Sequence, residues 1–333
     1  MKNVLVTGAN GHVGNNLVRH LLSKGYKVRA SVRDLSSSEK TRHLAKLGCE
    51  LVEADVLRPE TLAEAVKGVD GVFHVAAVYV TWAKDPQREI IDPSVKGATF
   101  MIEAAADAGV KRLVLTSSCA AIGVDATAEA PLTEQDWNEH PMTPYMVAKT
   151  EAERVAWRLA EKRGIELRTL CPSGVIGPGF YRHTPSTEVF ELLLRGKLPM
   201  IPPLCFAMVD VRDVASAHER VYAHDKAEGR YIVSTQFAPL TALVEDLRRL
   251  YPDMKLPRRR LPEAAMPLLA ASDWLAHQIT KSPRQVTREI IKEFVGKEQH
   301  VSNAKLVGLG WKPRPWDETL RDTLRWTRET FLT

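Results

Sequence analysis

The sequence has no long uninterrupted apolar run. Although 44% of its 333 residues are hydrophobic, enough for a sizeable core, no apolar stretch approaches the ~20 residues that a membrane-spanning helix needs. The chain also opens without the basic start, apolar segment and small-residue cleavage site of a secretory signal. We therefore predict a globular protein without stable membrane insertion.

Cysteine is scarce. The four cysteines, Cys49, Cys119, Cys171 and Cys205, lie far apart and form no CxxC pair, which argues against a disulfide framework and against a zinc site. The ten histidines show no HExxH or other ligand spacing, so we predict no bound metal. This cysteine usage fits a reducing compartment, and we expect a cytoplasmic location.

The excess of positive charge is also small. The formal net charge is +5, and it has a local source, since seven Lys or Arg stand against two acids between Lys24 and Lys46. Such a concentrated basic stretch favours a small anionic ligand over nucleic acid.

Apolar runs typical of buried strands alternate with helical patterns in the first half of the chain. After the first run, the stretch from Val13 to Ser23 places apolar residues on one face at helical spacing, and Gly25 follows as a stop signal. Strands and helices in strict turn imply right-handed βαβ units, and hence an α/β fold with a doubly wound parallel sheet. The candidate strands are residues 3–7, 27–32, 50–54, 71–76, 112–116 and 166–170.

The pattern changes after residue 172, where prolines become frequent and the alternation becomes intermittent. Two later segments, 206–211 and 230–234, resemble strands of the first sheet. We therefore predict a first domain over residues 1–172 to which 206–235 returns. Residues 173–205 and 236–333 are predicted to form a smaller, mainly helical lobe.

A glycine-rich turn, TGANGHVG, follows the first strand. Gly8 can make the tight turn, Gly11 lets the backbone approach a ligand, and Gly14 lets the new helix pack closely on the strand. The N-terminus of that helix offers unpaired N–H groups and a partial positive charge to a pyrophosphate. We interpret the turn as the dinucleotide site of a Rossmann-type domain. Its candidate contacts are Thr7, Gly8, Asn10, Gly11, His12, Val13 and Gly14.

The end of the second strand distinguishes the two nicotinamide dinucleotides. An NAD site usually places an acid there, whereas a 2′-phosphate requires a cation such as arginine. Arg33 stands at this point, followed by Lys40 and Arg42, which favours NADP(H) over NAD(H). The alternatives are a solvated basic loop and, because Asp34 is adjacent, an NAD site. Asp55, after the third strand, is either close to the adenine or a helix-capping acid.

A tyrosine and a lysine lie one helical turn apart in PMTPYMVAK. Thr143 is a plausible N-cap and Pro144 suits the first turn, which places Tyr145 at the helix start and Lys149 on the same face. A neighbouring ammonium is expected to lower the pKa of the phenol and so make it a better acid or base. Ser118, at the end of the fifth strand, is predicted to hold a substrate oxygen against Tyr145, in preference to Ser117.

Several of these motifs together resemble one family. TGANGHVG, ADV, GVFHVAA, TSS, YMVAK and LGWKPRP are similar to motifs of the extended short-chain dehydrogenase/reductase superfamily, across nearly the whole chain. VRASVRDLSSSEKTRHL and GVFHVAA resemble most its dihydroflavonol 4-reductase and cinnamoyl-CoA reductase group. Gly123 departs from that group, since the plant flavonoid reductases have there an asparagine that contacts the flavonoid.

The resemblance implies roles for the matching positions. Ser118, Tyr145 and Lys149 would form the catalytic set, Arg33 and Lys40 would hold the 2′-phosphate, and the segment CPSGVIGP would pass beside the nicotinamide. The further cofactor contacts that it implies, from the matching motifs, are Asp55, Val56, Val75, Ala76, Ala77, Tyr145, Lys149, Pro172 and Val175.

The function predicted from these features is NADPH-dependent reduction of an aldehyde or ketone, or the reverse oxidation of an alcohol, with Tyr145 as general acid/base. The enzyme alternatives are a nucleotide-sugar epimerase or dehydratase with tightly bound NAD, and a hydroxysteroid dehydrogenase. A redox sensor that binds NADP without chemistry is the non-enzyme alternative. The partner is expected to be a small carbonyl or alcohol substrate, bound by the C-terminal lobe, and the long helices 89–108 and 145–163 are candidates for a homodimer contact.

Overall fold

The computed structural model describes residues 2–80 and 82–332, without the side chains of Glu39 and Lys40. The strands are β1 (Asn3–Thr7), β2 (Lys27–Val32), β3 (Glu50–Glu53), β4 (Gly71–His74), β5 (Arg112–Thr116), β6 (Glu166–Pro172), β7 (Gly174–Ile176), β8 (Cys205–Asp210), β9 (Gly229–Val233) and β10 (Gln236–Pro239). The helices are α1 (His12–Ser23), α2 (Ser38–Ala45), α3 (Pro59–Ala65), α4 (Asp92–Asp107), α5 (Pro144–Arg163), α6 (Glu188–Leu194), α7 (Val211–Ala223), α8 (Leu240–Leu250), α9 (Met266–Thr280), α10 (Arg288–Phe294), α11 (Ala304–Gly308) and α12 (Trp316–Phe331).

Seven parallel strands form the main sheet, in the order β3-β2-β1-β4-β5-β6-β9. From β1 the chain builds the sheet outward through β2 to β3, and it then returns to place β4 on the other side of β1. This reversal leaves a crevice at the carboxyl ends of β1 and β4. This arrangement confirms the predicted doubly wound α/β fold. The strand limits differ slightly from the prediction, since β3 and β4 end earlier and β6 continues to Pro172.

Two hydrophobic cores cover the two faces of the main sheet. One face packs against α1 and α7, through side chains such as Leu17, Leu21 and Val214. The other face packs against α3, α4 and α5. Both faces are therefore buried, which is why the strands are nearly continuous apolar runs.

Helix α5 begins where its sequence indicates. Thr143 has an extended backbone and its hydroxyl accepts a hydrogen bond from the amide of Met146 at 3.3 Å, so it is the N-cap. Pro144 is the first helical residue, and Gly164 ends the helix in the left-handed conformation, with φ of +68°. Local chemistry thus fixes the position of Tyr145 in the first turn.

A second sheet of three strands lies in the C-terminal lobe, in the order β10-β8-β7. Residues 206–211 were predicted to join the main sheet, and that prediction is wrong. Strand β8 pairs in parallel with β7 and antiparallel with β10 instead. The apolar run is the same for either sheet, so its partners are decided by β7, which directly follows β6. Residues 230–234 were predicted correctly, since β9 is the edge strand next to β6.

The lobe has a hydrophobic core of its own, built from β7, β8, α6, α8 and α12. It contains buried side chains such as Phe190, Met208, Leu243 and Leu320.

Within residues 2–80 and 82–332, no helix is long and apolar enough to cross a membrane. The same described residues contain no cluster of three or more His, Cys, Asp or Glu arranged to hold a metal.

Candidate active site

The glycine-rich turn lies at the crevice between β1 and β4. Gly8 has a φ of +62°, in the region that glycine adopts without strain, and a Cβ on it would lie 2.8 Å from the Cα of Ala76. A Cβ on Gly14 would lie 2.2 Å from the carbonyl oxygen of Gly8. Asn10 lies within the turn, and Gly11 is the N-cap of α1, where no side chain caps the first amides. The turn therefore presents backbone N–H groups to the crevice.

We expect Gly14→Ala to lower the free energy of unfolding by ~1–3 kcal/mol, the range for forcing extra atoms into a packed site. The cause is that the added methyl group meets the backbone of Gly8, which cannot move away as a flexible side chain would. Urea denaturation measures the change. Gly308→Ala is the matched control, because a Cβ there meets nothing within 4 Å. Equal stability of the two variants would contradict the proposed close packing of the turn.

Thr7 connects the glycine-rich turn to the end of β4. Its hydroxyl oxygen accepts hydrogen bonds from the amides of Val75 and Ala76, both at 3.1 Å, and lies 2.9 Å from Nδ1 of His74. Burial lowers the pKa of His74 to about 3, so the ring is neutral and Nδ1 can accept the proton of the hydroxyl. Thr7 thus fixes the backbone of residues 75–76 beside the turn, while Ala77 of the same segment is exposed.

The basic segment follows β2 as expected. Arg33 is exposed directly after the strand, and Lys40 lies in α2, with its side chain outside the described part of the structure. The Asp34 carboxylate accepts hydrogen bonds from the amide and hydroxyl of Ser36, at 3.0 and 2.6 Å. A local turn therefore engages Asp34, and Arg33 is the exposed cation at the strand end.

Asp55 lies in the loop after β3, and its carboxylate accepts a hydrogen bond from the amide of Leu57 at 2.9 Å. The N-cap of α3 is Arg58, so the capping role considered for Asp55 is wrong. The neighbouring Val56 packs against Gly97 of α4.

His12 is the first residue of α1, and its side chain is buried. Its Nε2 lies 3.0 Å from the carbonyl oxygen of Gly177, and its ring stacks on Phe180 and Trp326 at 5.6 and 5.9 Å. Burial lowers the pKa of His12 to about 4, so the ring is neutral. The side chain joins the turn to the C-terminal lobe, which leaves the backbone amides of His12 and Val13 as the groups available to a ligand.

Tyr145 and Lys149 lie on one face of α5, as predicted. The Lys149 ammonium lies 6.0 Å from the centre of the Tyr145 ring. It donates a hydrogen bond to the carbonyl oxygen of Thr116 at 3.1 Å, at the carboxyl end of β5. Helix α5 thus holds both groups at the edge of the sheet where the glycine-rich turn lies.

Burial changes the pKa of both groups. Removal from water raises the pKa of Tyr145, the Tyr79 phenol adds to that rise, and a hydrogen bond with Ser118 opposes it. Burial lowers the pKa of Lys149 to about 8, although the Glu153 carboxylate opposes this shift. The expectation of a lowered phenol pKa is therefore wrong here, because removal from water is the largest of the effects that act on Tyr145. Tyr145 is a neutral phenol, the form that can donate a proton.

The two serines after β5 have different surroundings. The Ser118 oxygen accepts a hydrogen bond from the amide of Ala120 at 3.1 Å, and its hydroxyl interacts with the Tyr145 phenol. Ser117 turns the other way and donates to the Glu153 carboxylate at 2.5 Å. Ser118 therefore faces the cleft and Ser117 faces the core. The partner of Ser117 is therefore a buried acid.

A buried ion pair joins α5 to β9 of the main sheet. It was not predicted from the sequence. Glu153 is 1% exposed and Arg230, on β9, is 6% exposed. Nε of Arg230 donates to Glu153 at 2.8 Å, and Thr169 of β6 donates to the same carboxylate at 2.8 Å. The guanidinium also lies 3.8 Å from the centre of the Trp137 ring. Glu153 and Arg230 are 77 residues apart in the chain, so no local sequence pattern links them.

The opposite wall of the cleft combines residues of the first domain with residues of the C-terminal lobe. The Tyr79 ring lies 5.2 Å from the Tyr145 ring, and its hydroxyl is 2.9 Å from that of Ser186. Pro172 ends β6 and pairs with Val233, while Val175 lies in β7 opposite Val209. These contacts line the carboxyl edge between the main sheet and the lobe.

The strand order and the glycine-rich first turn define a Rossmann-type protein of the short-chain dehydrogenase/reductase class. The chain belongs to the NAD dependent epimerase/dehydratase family, whose model matches residues 4–234.

Named reductases are among its relatives. The chain is 35% identical to cinnamoyl-CoA reductase CAD2 of Medicago truncatula over 270 residues, covering 77% of this chain and 83% of that protein. It is 35% identical to the bifunctional dihydroflavonol 4-reductase/flavanone 4-reductase of Malus domestica over 274 residues, covering 78% and 79%. The crystal structure of gox2253 matches with a TM-score of 0.83 and 29% identity, covering 99% of both chains. These findings confirm the resemblance to the dihydroflavonol and cinnamoyl-CoA reductase group.

Proposed function

We propose that this protein reduces an aldehyde or ketone with NADPH. The observation that carries the proposal is the position of Tyr145, Ser118 and Lys149, which lie together at the carboxyl edge of the sheet beside the glycine-rich turn. The reductases to which the chain is similar support the same class of reaction.

The residues of the turn fit a dinucleotide. The spaces around Gly8 and Gly14 leave no room for a Cβ, so the backbone itself forms the cradle. The start of α1 has no side-chain cap, which suits a pyrophosphate at its amides. Thr7, through the amides of Val75 and Ala76, would fix the backbone next to the bound cofactor. When bound, the nicotinamide would supply the hydride for the carbonyl carbon.

The residues of the cleft would supply the proton for the carbonyl oxygen. Tyr145, kept neutral by its surroundings, donates its phenolic proton to the carbonyl oxygen. Ser118 donates a hydrogen bond to the same oxygen and orients it. The Lys149 ammonium then stabilises the tyrosinate that remains, because opposite charges at this distance attract strongly away from water.

The proposed substrate is a small carbonyl compound that is not a flavonoid. Gly123 has a φ of +144°, and a Cβ there would lie 3.2 Å from Leu132. An asparagine, the residue of the plant flavonoid reductases, would be strained at this position. Gly123 has no side chain, so it cannot make the flavonoid contact that the asparagine makes in those enzymes.

We expect Arg33→Ala to raise KM for NADPH far more than KM for NADH. Arg33 is the exposed cation at the end of β2, and the loss of a charge-assisted hydrogen bond to a 2′-phosphate costs ~1.5–3 kcal/mol. Initial rates with each cofactor measure the effect. Lys46→Ala, an exposed cation after the end of α2, is the control and should change neither constant. Equal changes for the two cofactors would rule out a 2′-phosphate contact at Arg33.

The direct test is NADPH consumption with a panel of aromatic aldehydes, acyl-CoA thioesters, cyclic ketones and flavonoids. Turnover of a non-flavonoid carbonyl is the expected result. NAD retained through purification, without turnover of added NADPH, would instead support an epimerase or dehydratase.

The proposal also covers the oligomeric state of the protein and its location in the cell. Helices α4 and α5 pack side by side on one face of the sheet, and we propose that they form the homodimer contact. We propose a reducing, cytoplasmic location on the basis of the four scattered cysteines.

A further inference from the structure

Glu293 is a buried acid that, within the part of the chain the structure describes, lacks a partner for one of its two oxygens. It lies on α10 of the C-terminal lobe and is 6% exposed. Its Oε2 is buried and has no hydrogen-bond partner among the described residues. A buried carboxyl oxygen without a partner is costly, so a native structure that keeps one calls for an explanation.

The carboxyl group of Glu293 lies close to the start of α5, the helix that carries Tyr145. It lies next to the hydroxyl of Thr143, the N-cap of α5 and two residues before Tyr145. Its charge also acts on the phenols of Tyr145 and Tyr79, adding to the larger effect of burial on the pKa of each. Helix α10, the start of α5 and the loop that carries Tyr79 are distant in sequence but lie close together in the fold.

The position of α10 is fixed by contacts of the neighbouring residues. The Phe294 ring lies 5.5 Å from that of Phe206, at the start of β8. Val295 forms an antiparallel bridge with Leu204. The N-cap is Thr287, whose hydroxyl accepts a hydrogen bond from the amide of Ile290 at 3.3 Å. These contacts fix the position of Glu293 on α10.

We propose that Glu293 recognises a hydroxyl group of the substrate, which donates a hydrogen bond to Oε2. The protein would then prefer hydroxylated carbonyl compounds over the same compounds without the hydroxyl group. An amine is a poorer fit, because it would bring a second cation into the cleft that holds the Lys149 ammonium. Burial raises the pKa of Glu293 to about 7, so a substantial fraction of the carboxyl is ionised at neutral pH and accepts a hydrogen bond.

This inference rests on the proposed carbonyl reduction and deepens it. The experiment measures kcat/KM with NADPH for acetophenone, its α-hydroxy derivative and its 4-hydroxy derivative, in the wild type, Glu293→Gln and Glu293→Leu. We expect the wild type to prefer one hydroxylated ketone. We expect the preference to fall in Glu293→Gln and to fall about ten-fold or more in Glu293→Leu, because sites built to bind a hydroxyl discriminate strongly.

Glu289→Gln is the matched control, since Glu289 is exposed one turn earlier on the same helix. It should leave the preference unchanged. A structural role for Glu293 would change all three ketones equally, and that result would overturn the proposal, as would a wild type without preference. If acetophenone and both derivatives are not reduced, the proposed reaction fails with these ketones. Calorimetric titration of the same compounds into the wild type and Glu293→Gln then decides the Glu293 proposal separately, since equal affinities would overturn it.

Discussion

Tyr145→Phe is expected to lower kcat by about two to four orders of magnitude, the range that a positioned general acid contributes. The phenol donates the proton that balances the hydride added to the carbonyl carbon. Phenylalanine keeps the ring and its contact with Tyr79 but has no proton to give. NADPH oxidation at saturating substrate measures the loss, and NADPH affinity, measured by fluorescence, should change little because the glycine-rich turn is untouched.

Tyr79→Phe provides the comparison for this variant. Tyr79 contributes a second phenol to the same cleft, but its hydroxyl is engaged with Ser186 at 2.9 Å. We expect a smaller loss of kcat from this change than from Tyr145→Phe. Turnover of the Tyr145 variant within a factor of about ten of the wild type would refute its role as the general acid, since even the low end of that range is larger.

Arg230→Met is expected to destabilise the protein by about 3–5 kcal/mol, the cost of leaving one member of a buried ion pair without its partner. The Glu153 carboxylate would remain buried, with the hydrogen bonds from Ser117 and Thr169 but without the guanidinium that pairs with it. The peptide carbonyls of Ala121 and Asp136 would also lose a donor, because Arg230 donates to both. Urea denaturation measures the change in the free energy of unfolding.

Two further variants test whether the loss of stability comes from the buried, unpaired charge of Glu153. Arg154 also lies over the Trp137 ring, at 5.2 Å, but its ion pair with Glu139 is exposed, so Arg154→Met should cost at most about 1 kcal/mol. Adding Glu153→Gln to Arg230→Met removes the stranded charge and should recover part of the stability. Equal losses of unfolding free energy in the two arginine variants would show that the buried pair with Glu153 contributes no more stability than an exposed pair.

The buried pair also has a consequence for the site. Glu153 raises the pKa of Lys149, against the effect of burial, and it holds Ser117, the neighbour of Ser118. Strand β9 therefore influences the charge of Lys149 without touching the cleft. We expect Arg230→Met to reduce turnover in the fraction that still folds.

Much of the fold and part of the site could be predicted from the sequence. The doubly wound sheet followed from the alternation of apolar runs and helical patterns. Thr143 and Pro144 marked the start of the helix that carries Tyr145 and Lys149. The location of residues 206–211 could not be predicted, because a short apolar run has the same pattern in either sheet. The pKa direction of Tyr145 was also wrong, since spacing indicates neighbours within a helix but not how much water the fold removes.

The sequence by itself determined the features that depend on a few adjacent residues: the glycine-rich turn, the start of α5 and the periodicity of strands and helices. Steric limits and hydrogen bonds between near neighbours control these features, so they can be read locally. Only the tertiary structure decided that Arg230 neutralises Glu153 and that Glu293 lies near Tyr145. These groups are far apart in the chain, and both their proximity and their loss of water arise only when the sheet, helices and lobe pack together.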